Sequence, residues 1–310
     1  MAPTSMRIVS LLPAATELCY ALGLADDVVG VSPECDFPPG ARTKPVISRS
    51  VLAYEGKSSR ETSRMVGERL EAGGALYQVD ESALRSADPD LILTQGLCEV
   101  CAPAVGDVEE VARRLSRVPS ILSLDPHRLD DSLTDMERVA RRCGVEDRAA
   151  HVIESARDRI GRVAKRAAAA RVRPKVMCLE WFDPLFVAGH WVPEMVDLAG
   201  GTDVLAEPGE ASHRVDPKEI VMASPDVAIL MPCGFHLDRT DEEASNVTGN
   251  PWWGDLPATR SDRAWLVDGS SFFNRPGPRL VDGLEILAHI LHPDLFPQSP
   301  ALTAAKKWGR

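Results

Sequence analysis

The chain is 310 residues long, 44% apolar and 26% charged, with a formal net charge of −11. That length suits two domains of about 150 residues better than a single core, and the apolar content excludes a disordered chain. The acidic balance excludes a nucleic-acid partner, which would require a concentrated basic face, and the absence of any run of roughly 18 apolar residues argues against membrane insertion.

In chain order, the first strand is expected at Arg7–Leu12. The apolar run before Pro13 is too short for the core of an export signal, so no signal peptide is read. Seven cysteines, an odd number, do not resemble a disulfide framework. Both observations point to reduced thiols and a cytoplasmic location.

Further strands are expected at Val28–Val31, Leu91–Thr94, Ile121–Leu124, Lys175–Leu179, Val227–Met231 and Ala264–Val267. Helical stretches such as Ala15–Leu22, Val108–Leu115 and Arg279–Leu291 separate them. Short apolar strands alternating with helices predict an α/β fold with parallel sheets and right-handed crossovers. From Asp147 to Arg171 apolar residues recur with helical period on one face, and Arg and Lys crowd the other. About 25 helical residues would span roughly 37 Å. This segment is either one long helix joining two α/β lobes or a long surface helix within one domain. The first reading divides the chain into an N-terminal lobe (6–130), a connecting helical segment (131–172), a C-terminal lobe (173–296) and a tail (297–310) expected to fray.

Open α/β sheets bind ligands beyond the carboxyl ends of their strands. The residues that follow the expected strands include Pro13, Ala14, Ala15 and Thr16, then Cys35 and Asp36, then Gln95 and the pair Cys98 and Cys101. In the second half they include Trp181, Phe186, His190, Trp191, Cys233, Phe235, His236, Phe272, Phe273 and Arg275. Aromatics make up only 5% of the chain, yet they gather in these segments. An aromatic-lined cleft suits a large, flat, partly apolar ligand, although each ring alone could equally be a packing residue.

The run Arg7-Ile8-Val9-Ser10-Leu11-Leu12-Pro13-Ala14-Ala15-Thr16-Glu17 resembles the opening of the iron-siderophore and vitamin B12 substrate-binding proteins of ABC importers. So do Asp88-Pro89-Asp90-Leu91, Ser224-Pro225-Asp226-Val227 and the segment from Phe272 to Arg279. The resemblance runs from about Arg7 to Leu291. It implies two Rossmann-like lobes bridged by one long helix, with a ligand held in the cleft between them. Among the family's ligands, the aromatic and acidic loops, with Arg275 the main basic exception, lean toward a corrinoid such as cobalamin over an anionic siderophore. The resemblance also implies docking on an ABC permease through one glutamate per lobe. Those positions carry Ser82 and Lys218, with Glu81 and Glu219 one residue away, so the chain reads as a cytoplasmic relative.

Cys98 and Cys101 stand at metal-ligand or redox spacing, with Cys35, Cys233, His190 and His236 in loops assigned to the same cleft. The alternative is two small residues packing a turn. His190 is either a lower axial ligand to cobalt or a histidine bonded to its own loop. No nucleotide-binding, zinc-protease or nucleophile-elbow motif occurs, so no nucleotide cofactor and no enzyme activity are expected. An enzyme acting on a tetrapyrrole-like substrate and a ligand-dependent sensor remain as alternatives.

Overall fold

The structure is a computed structural model and describes residues 6–54, 56–96, 102–297 and 302–309. The chain falls into two compact units. One comprises Met1–Gly56, Arg64–Pro126 and Asp131–Glu154, and the other Lys57–Ser63, His127–Asp130 and Ser155–Arg310.

The first unit contains β1 (Ile8–Ser10), β2 (Val28–Val31), β3 (Ser48–Ser50), β4 (Tyr77–Val79), β5 (Leu91–Thr94) and β6 (Ser120–Ser123). Its main sheet has the order β2-β1-β5-β6 with every pair parallel. Ile8, Val9 and Leu91 to Leu93 are fully buried, as strands covered on both faces must be. Strands β3 and β4 form an antiparallel ribbon, and Ile47 beside it enters the core with Val9 and Ile92. A Cβ on Gly30 would lie 2.3 Å from Ile47, so only glycine lets β2 pass that side chain.

The second unit contains β7 (Lys175–Phe182), β8 (Leu185–Val187), β9 (Thr202–Asp203), β10 (His213–Arg214), β11 (Val227–Leu230), β12 (Ala264–Val267) and β13 (Ala305–Lys307). The order is β10-β8-β7-β11-β12-β13, with β9 also on β7. Pairs β7/β11, β11/β12 and β7/β9 are parallel; β7/β8, β8/β10 and β12/β13 are antiparallel. The expectation of parallel sheets throughout is corrected here. Phe182 pairs with Leu185 across Asp183-Pro184, a link too short for a parallel crossover. The tail expected to fray instead supplies β13, and the Trp308 ring meets Trp253 edge-on at 5.8 Å. Trp253 lies on the short helix Pro251–Asp255 and is buried in the core with Met177, Leu179 and Leu266.

One local device serves both units. Asp80 caps helix Glu81–Ala87, Asp88 ends it with φ of 39°, and after Pro89 the Asp90 carboxylate accepts the N–H of Arg7 at 2.9 Å. Asp216 caps helix Pro217–Ala223, Ser224 ends it with φ of 52°, and after Pro225 the Asp226 carboxylate accepts the N–H of Lys175 at 2.9 Å. Proline forbids helical continuation, and the left-handed residue turns the chain into the next strand.

Helix Glu146–Ala167 buries Ala149, Ile153, Val163 and Ala167, and the division between units falls within it, after Glu154. Arg159 on its later half makes ion pairs with Asp282 at 2.5 Å and Glu285 at 2.8 Å; the Glu285 and Asp282 bonds, against burial, push its pKa upward. Among the described residues, no helix is long and apolar enough to cross a membrane.

Candidate ligand-binding surfaces at the strand ends

In the first unit the strand ends are knitted together by small polar groups. Ser10 Oγ donates to the Leu12 carbonyl at 3.0 Å, and Thr16 Oγ1 donates to Ser10 Oγ at 2.8 Å. Thr16 Oγ1 also lies 3.0 Å from Cys35 Sγ, which Ser32 Oγ approaches at 3.3 Å. Burial pushes the Cys35 thiol up, against hydrogen bonds from Ser32 and Thr16. Thr16, Ala14 and Ala15 are buried, and Gln95 nearly so; Pro13 and Asp36 keep partial exposure. Asp36 pairs with Arg42 at 4.0 Å, and its neighbour Phe37 is 40% exposed. Gly96 N–H donates to the Asp125 carboxylate. Cys98 and Cys101 lie outside the described residues.

The second unit carries rings and ionic groups at its strand ends. Trp181 is half-buried; its Nε1 donates to Ser63 Oγ at 2.7 Å, and its ring meets Phe235 edge-on at 5.4 Å. Asp183 pairs with Arg60 at 2.6 Å. Arg239 lies over the Phe235 ring, 3.9 Å from its centroid, Arg279 over Phe272 at 5.5 Å, and Arg214 over Phe186 at 5.8 Å. Arg275 donates to Ser270 Oγ at 3.0 Å. Trp191 is buried and donates Nε1 to the Phe273 carbonyl at 2.7 Å, and Phe273 is fully buried. Of the expected rings, Trp181, Phe186 and Phe272 keep exposed surface, whereas Trp191, Phe235 and Phe273 pack inward.

His190 sits with φ of 54° in a loop clamped by backbone. Its N–H donates to Glu210 O at 2.6 Å, and its carbonyl accepts from Gly209 N at 2.8 Å. A Cβ on Gly189 would lie 2.4 Å from Ser212 N. The His190 ring lies 5.6 Å from Trp191 and 5.7 Å from His127. Burial, and then His127, hold its pKa below the usual value, so the ring is neutral at pH 7. Asp203, at the end of β9, accepts Leu205 N and Ala206 N on Oδ1 at 3.0 Å each. Its other carboxylate oxygen is buried with no partner among the described residues, and burial pushes the group up to about 7.

His127, read from sequence as a turn residue, and Phe37, Arg239 and Arg279, none of them named as ligand contacts, join these surfaces. His127 was legible, because it follows β6 as the other loop residues follow their strands. Ser63 carried no local signal, since it meets Trp181 from 118 positions away. Among the described residues, no group of three or more His, Cys, Asp or Glu is placed to hold a metal ion. The displaced glutamates have internal partners: Glu81 pairs with Arg85 at 2.8 Å and Arg114 at 3.4 Å, and Glu219 accepts from Asp216 N at 2.7 Å.

Curated relatives include the vitamin B12-binding protein of Vibrio cholerae serotype O1, 25% identical over 283 residues, covering 90% of this chain and 86% of that protein. The periplasmic heme-binding protein RhuT from Roseiflexus sp. RS-1 superposes with a TM-score of 0.71 at 21% identity, over 94% of this chain and 100% of that one. The periplasmic vitamin B12-binding protein BtuF of Vibrio cholerae gives 0.65 at 22% identity, over 94% and 98%. At these identities the structural likeness shows the shared two-lobed mixed α/β fold.

The sequence profile of the periplasmic binding protein family matches residues 8–269. This overturns the reading of the chain as a cytoplasmic relative and the cytoplasmic location that went with it. That reading rested on the first residues, the cysteine count and the displaced docking glutamates, and none of these reports compartment. Cys19, Cys35 and Cys178 are buried thiols whose pKa burial raises, so their unpaired state does not report the redox compartment. Family membership bears out the expectation of a binding protein without enzymatic activity. The chain belongs to the periplasmic binding protein family.

Proposed function

We propose that the chain captures a planar metal chelate of the tetrapyrrole type, corrinoid or heme, and delivers it to an ABC permease. The observation that carries this reading is the strand-end surface of the second unit. There, half-exposed Trp181 and Phe272 stand beside arginine-capped rings and imidazoles, a combination suited to a flat conjugated ligand. The B12- and heme-binding relatives support the same ligand class.

Within that class cobalamin is the first reading, on the strength of the B12-binding relatives. Heme is the second. Arg239, Arg275 and Arg279 make the surface more cationic than its loop composition suggested, and a carboxylate-bearing periphery would answer them. In this reading Pro13, Asp36, Trp181, Phe186, His190, Phe272 and Arg275 meet the ligand, and buried Thr16, Trp191 and Phe273 shape the loops. Helix Glu146–Ala167 serves as the joint between units. Permease docking would use the helix starts at Glu81 and Glu219, at the cost of their internal partners.

The test is a thermal-shift and absorbance screen with cobalamins, cobinamide, heme and ferric siderophores. A ligand at a hundred times its Kd raises stability by about 2.7 kcal/mol. Stabilisation by the planar chelates supports the reading, and stabilisation by siderophores alone contradicts it.

A further inference from the structure

We infer that the outer face of helix Glu146–Ala167 near its end, with the loop that follows, is a docking surface for anionic phospholipid. The stretch from Arg159 to Leu179 holds seven cations, at 159, 162, 165, 166, 171, 173 and 175, and no Asp or Glu, in a chain of net charge −11. Three of the seven are engaged by the fold. Arg159 is taken by Asp282 and Glu285, and Arg173 by Asp197 at 2.5 Å and the Gly201 carbonyl at 2.6 Å. Lys175 sits beside Asp226, whose carboxylate accepts its backbone N–H. Arg162, Lys165, Arg166 and Arg171 are exposed, and among the described residues none of them pairs with a carboxylate. Positions 162, 165 and 166 share one helix face, turned away from buried Ile153, Val163 and Ala167. Arg171 follows just beyond the helix, and its neighbour Val172 is 69% exposed.

This surface is separate from the proposed ligand contacts. The basic stretch leads into the amino end of β7 at Lys175, whereas Trp181 stands near its carboxyl end. A simpler role for the cations would be to complement the helix dipole, which the last-turn pair Lys165 and Arg166 already does. Arg162, a turn earlier, and Arg171, outside the helix, go beyond that need.

Free cations around an exposed apolar side chain match the chemistry of a lipid surface. The long stems reach headgroup phosphates, and Val172 meets the apolar boundary beneath them. A nucleic-acid backbone offers phosphates but nothing for Val172. The negative charge of the whole chain does not forbid the contact, because the Debye length is about 8 Å at physiological ionic strength. A phosphate at the patch therefore responds to the four local cations, with Asp158, one turn before Arg162, the acid closest to them along the helix. A chain docked this way keeps the carboxyl end of β7 at the far end of the strand from the lipid, open to an incoming chelate. The inference does not depend on which chelate that is.

The full chain is sedimented with vesicles of phosphatidylglycerol and phosphatidylcholine, and with vesicles of phosphatidylcholine alone, at low and high salt. Binding is expected to the anionic vesicles only, and to fall with salt. Each cation contributes about fivefold to partitioning, so Arg162→Gln/Lys165→Gln should weaken it by ~25-fold. Val172→Ser should weaken it severalfold, and the charge-preserving Arg162→Lys/Lys165→Arg should retain it. Arg64→Gln/Arg113→Gln, which removes two exposed cations from the first unit, should change nothing. Equal binding to phosphatidylcholine alone, an unchanged Arg162→Gln/Lys165→Gln variant or an equal loss in the first-unit control overturns the inference. So does binding of a short DNA duplex as tight as that of the anionic vesicles. Heme and cobinamide titrations should be the same in every variant, so failure of lipid docking leaves the chelate reading standing, and failure of chelate binding leaves lipid docking standing.

Discussion

Asp80 to Leu91 in the first unit and Asp216 to Val227 in the second pass through the same steps at the same spacing: capped helix, left-handed turn, proline, aspartate, strand. The carboxyl ends of the strands in the two units differ. In the first unit hydroxyls and a thiol close on each other around Ser10, Thr16 and Cys35. In the second, tryptophans, arginine-capped phenylalanines and the His127–His190 pair line the strand ends. The repeated helix-to-strand turns fix strand register, a task that is the same in both units. In the proposed function the carboxyl ends carry recognition, and on that reading their difference gives most ligand contacts to the second unit.

The strongest challenge to that division compares two tryptophans. Trp191→Ala is expected to cost about 3–5 kcal/mol, because a buried ring and its bond to the Phe273 carbonyl are both lost. Trp181→Ala should cost far less stability yet weaken chelate binding severalfold. Denaturant melts and ligand titrations read the two effects separately, and equal stability losses would erase the distinction between packing and recognition rings.

Two aspartates sharpen the comparison through pH. The Asp203 pKa is raised to about 7, so between about pH 4 and 7 the folded state binds a proton that the unfolded state releases. Stability contributed at low pH is therefore lost as pH rises, by ~1.4 kcal/mol per unit. Asp203→Asn should flatten that slope while keeping the acceptor for Leu205 and Ala206. Asp90 behaves oppositely. The bond from the Arg7 N–H, with Arg117, holds it below its usual range against desolvation, so its contribution is present above the ordinary carboxyl pKa and lost on acidification. Asp90→Ala and Asp226→Ala should each cost about 1–2 kcal/mol and leave ligand spectra unchanged. A large inequality between them would break the equivalence of the helix-to-strand turns in the two units.

The smallest expected effect is at Phe37, an exposed ring at a strand end of the first unit. Phe37→Ala should move stability by less than about 0.5 kcal/mol. Any loss of chelate affinity would show that this unit, too, supplies an aromatic contact.

The parallel strands were legible because continuous apolar runs such as Leu91 to Leu93 and Val227 to Leu230 have little other use in a chain of this composition. The antiparallel additions were not. Strands β9 and β10 are two residues long and carry no period, and β13 reads as a basic tail until Trp308 packs on Trp253. Loop positions at the site were visible from the strand-end rule, but side-chain direction was not. Trp181 and Trp191 look alike in sequence, and only packing turns one toward solvent and the other into the core. Thr16 looked like a ligand contact and is a buried stitch. The Asp268–His236 pair spans 32 positions, beyond the reach of local pattern.

Equilibrium titration of the purified chain with heme and with cobinamide, followed by visible absorbance, tests the central claim most directly. The account predicts saturable uptake of at least one planar chelate with a shifted band, and loss of affinity in Trp181→Ala. Uptake of neither, or retention of a ferric siderophore in their place, would contradict it.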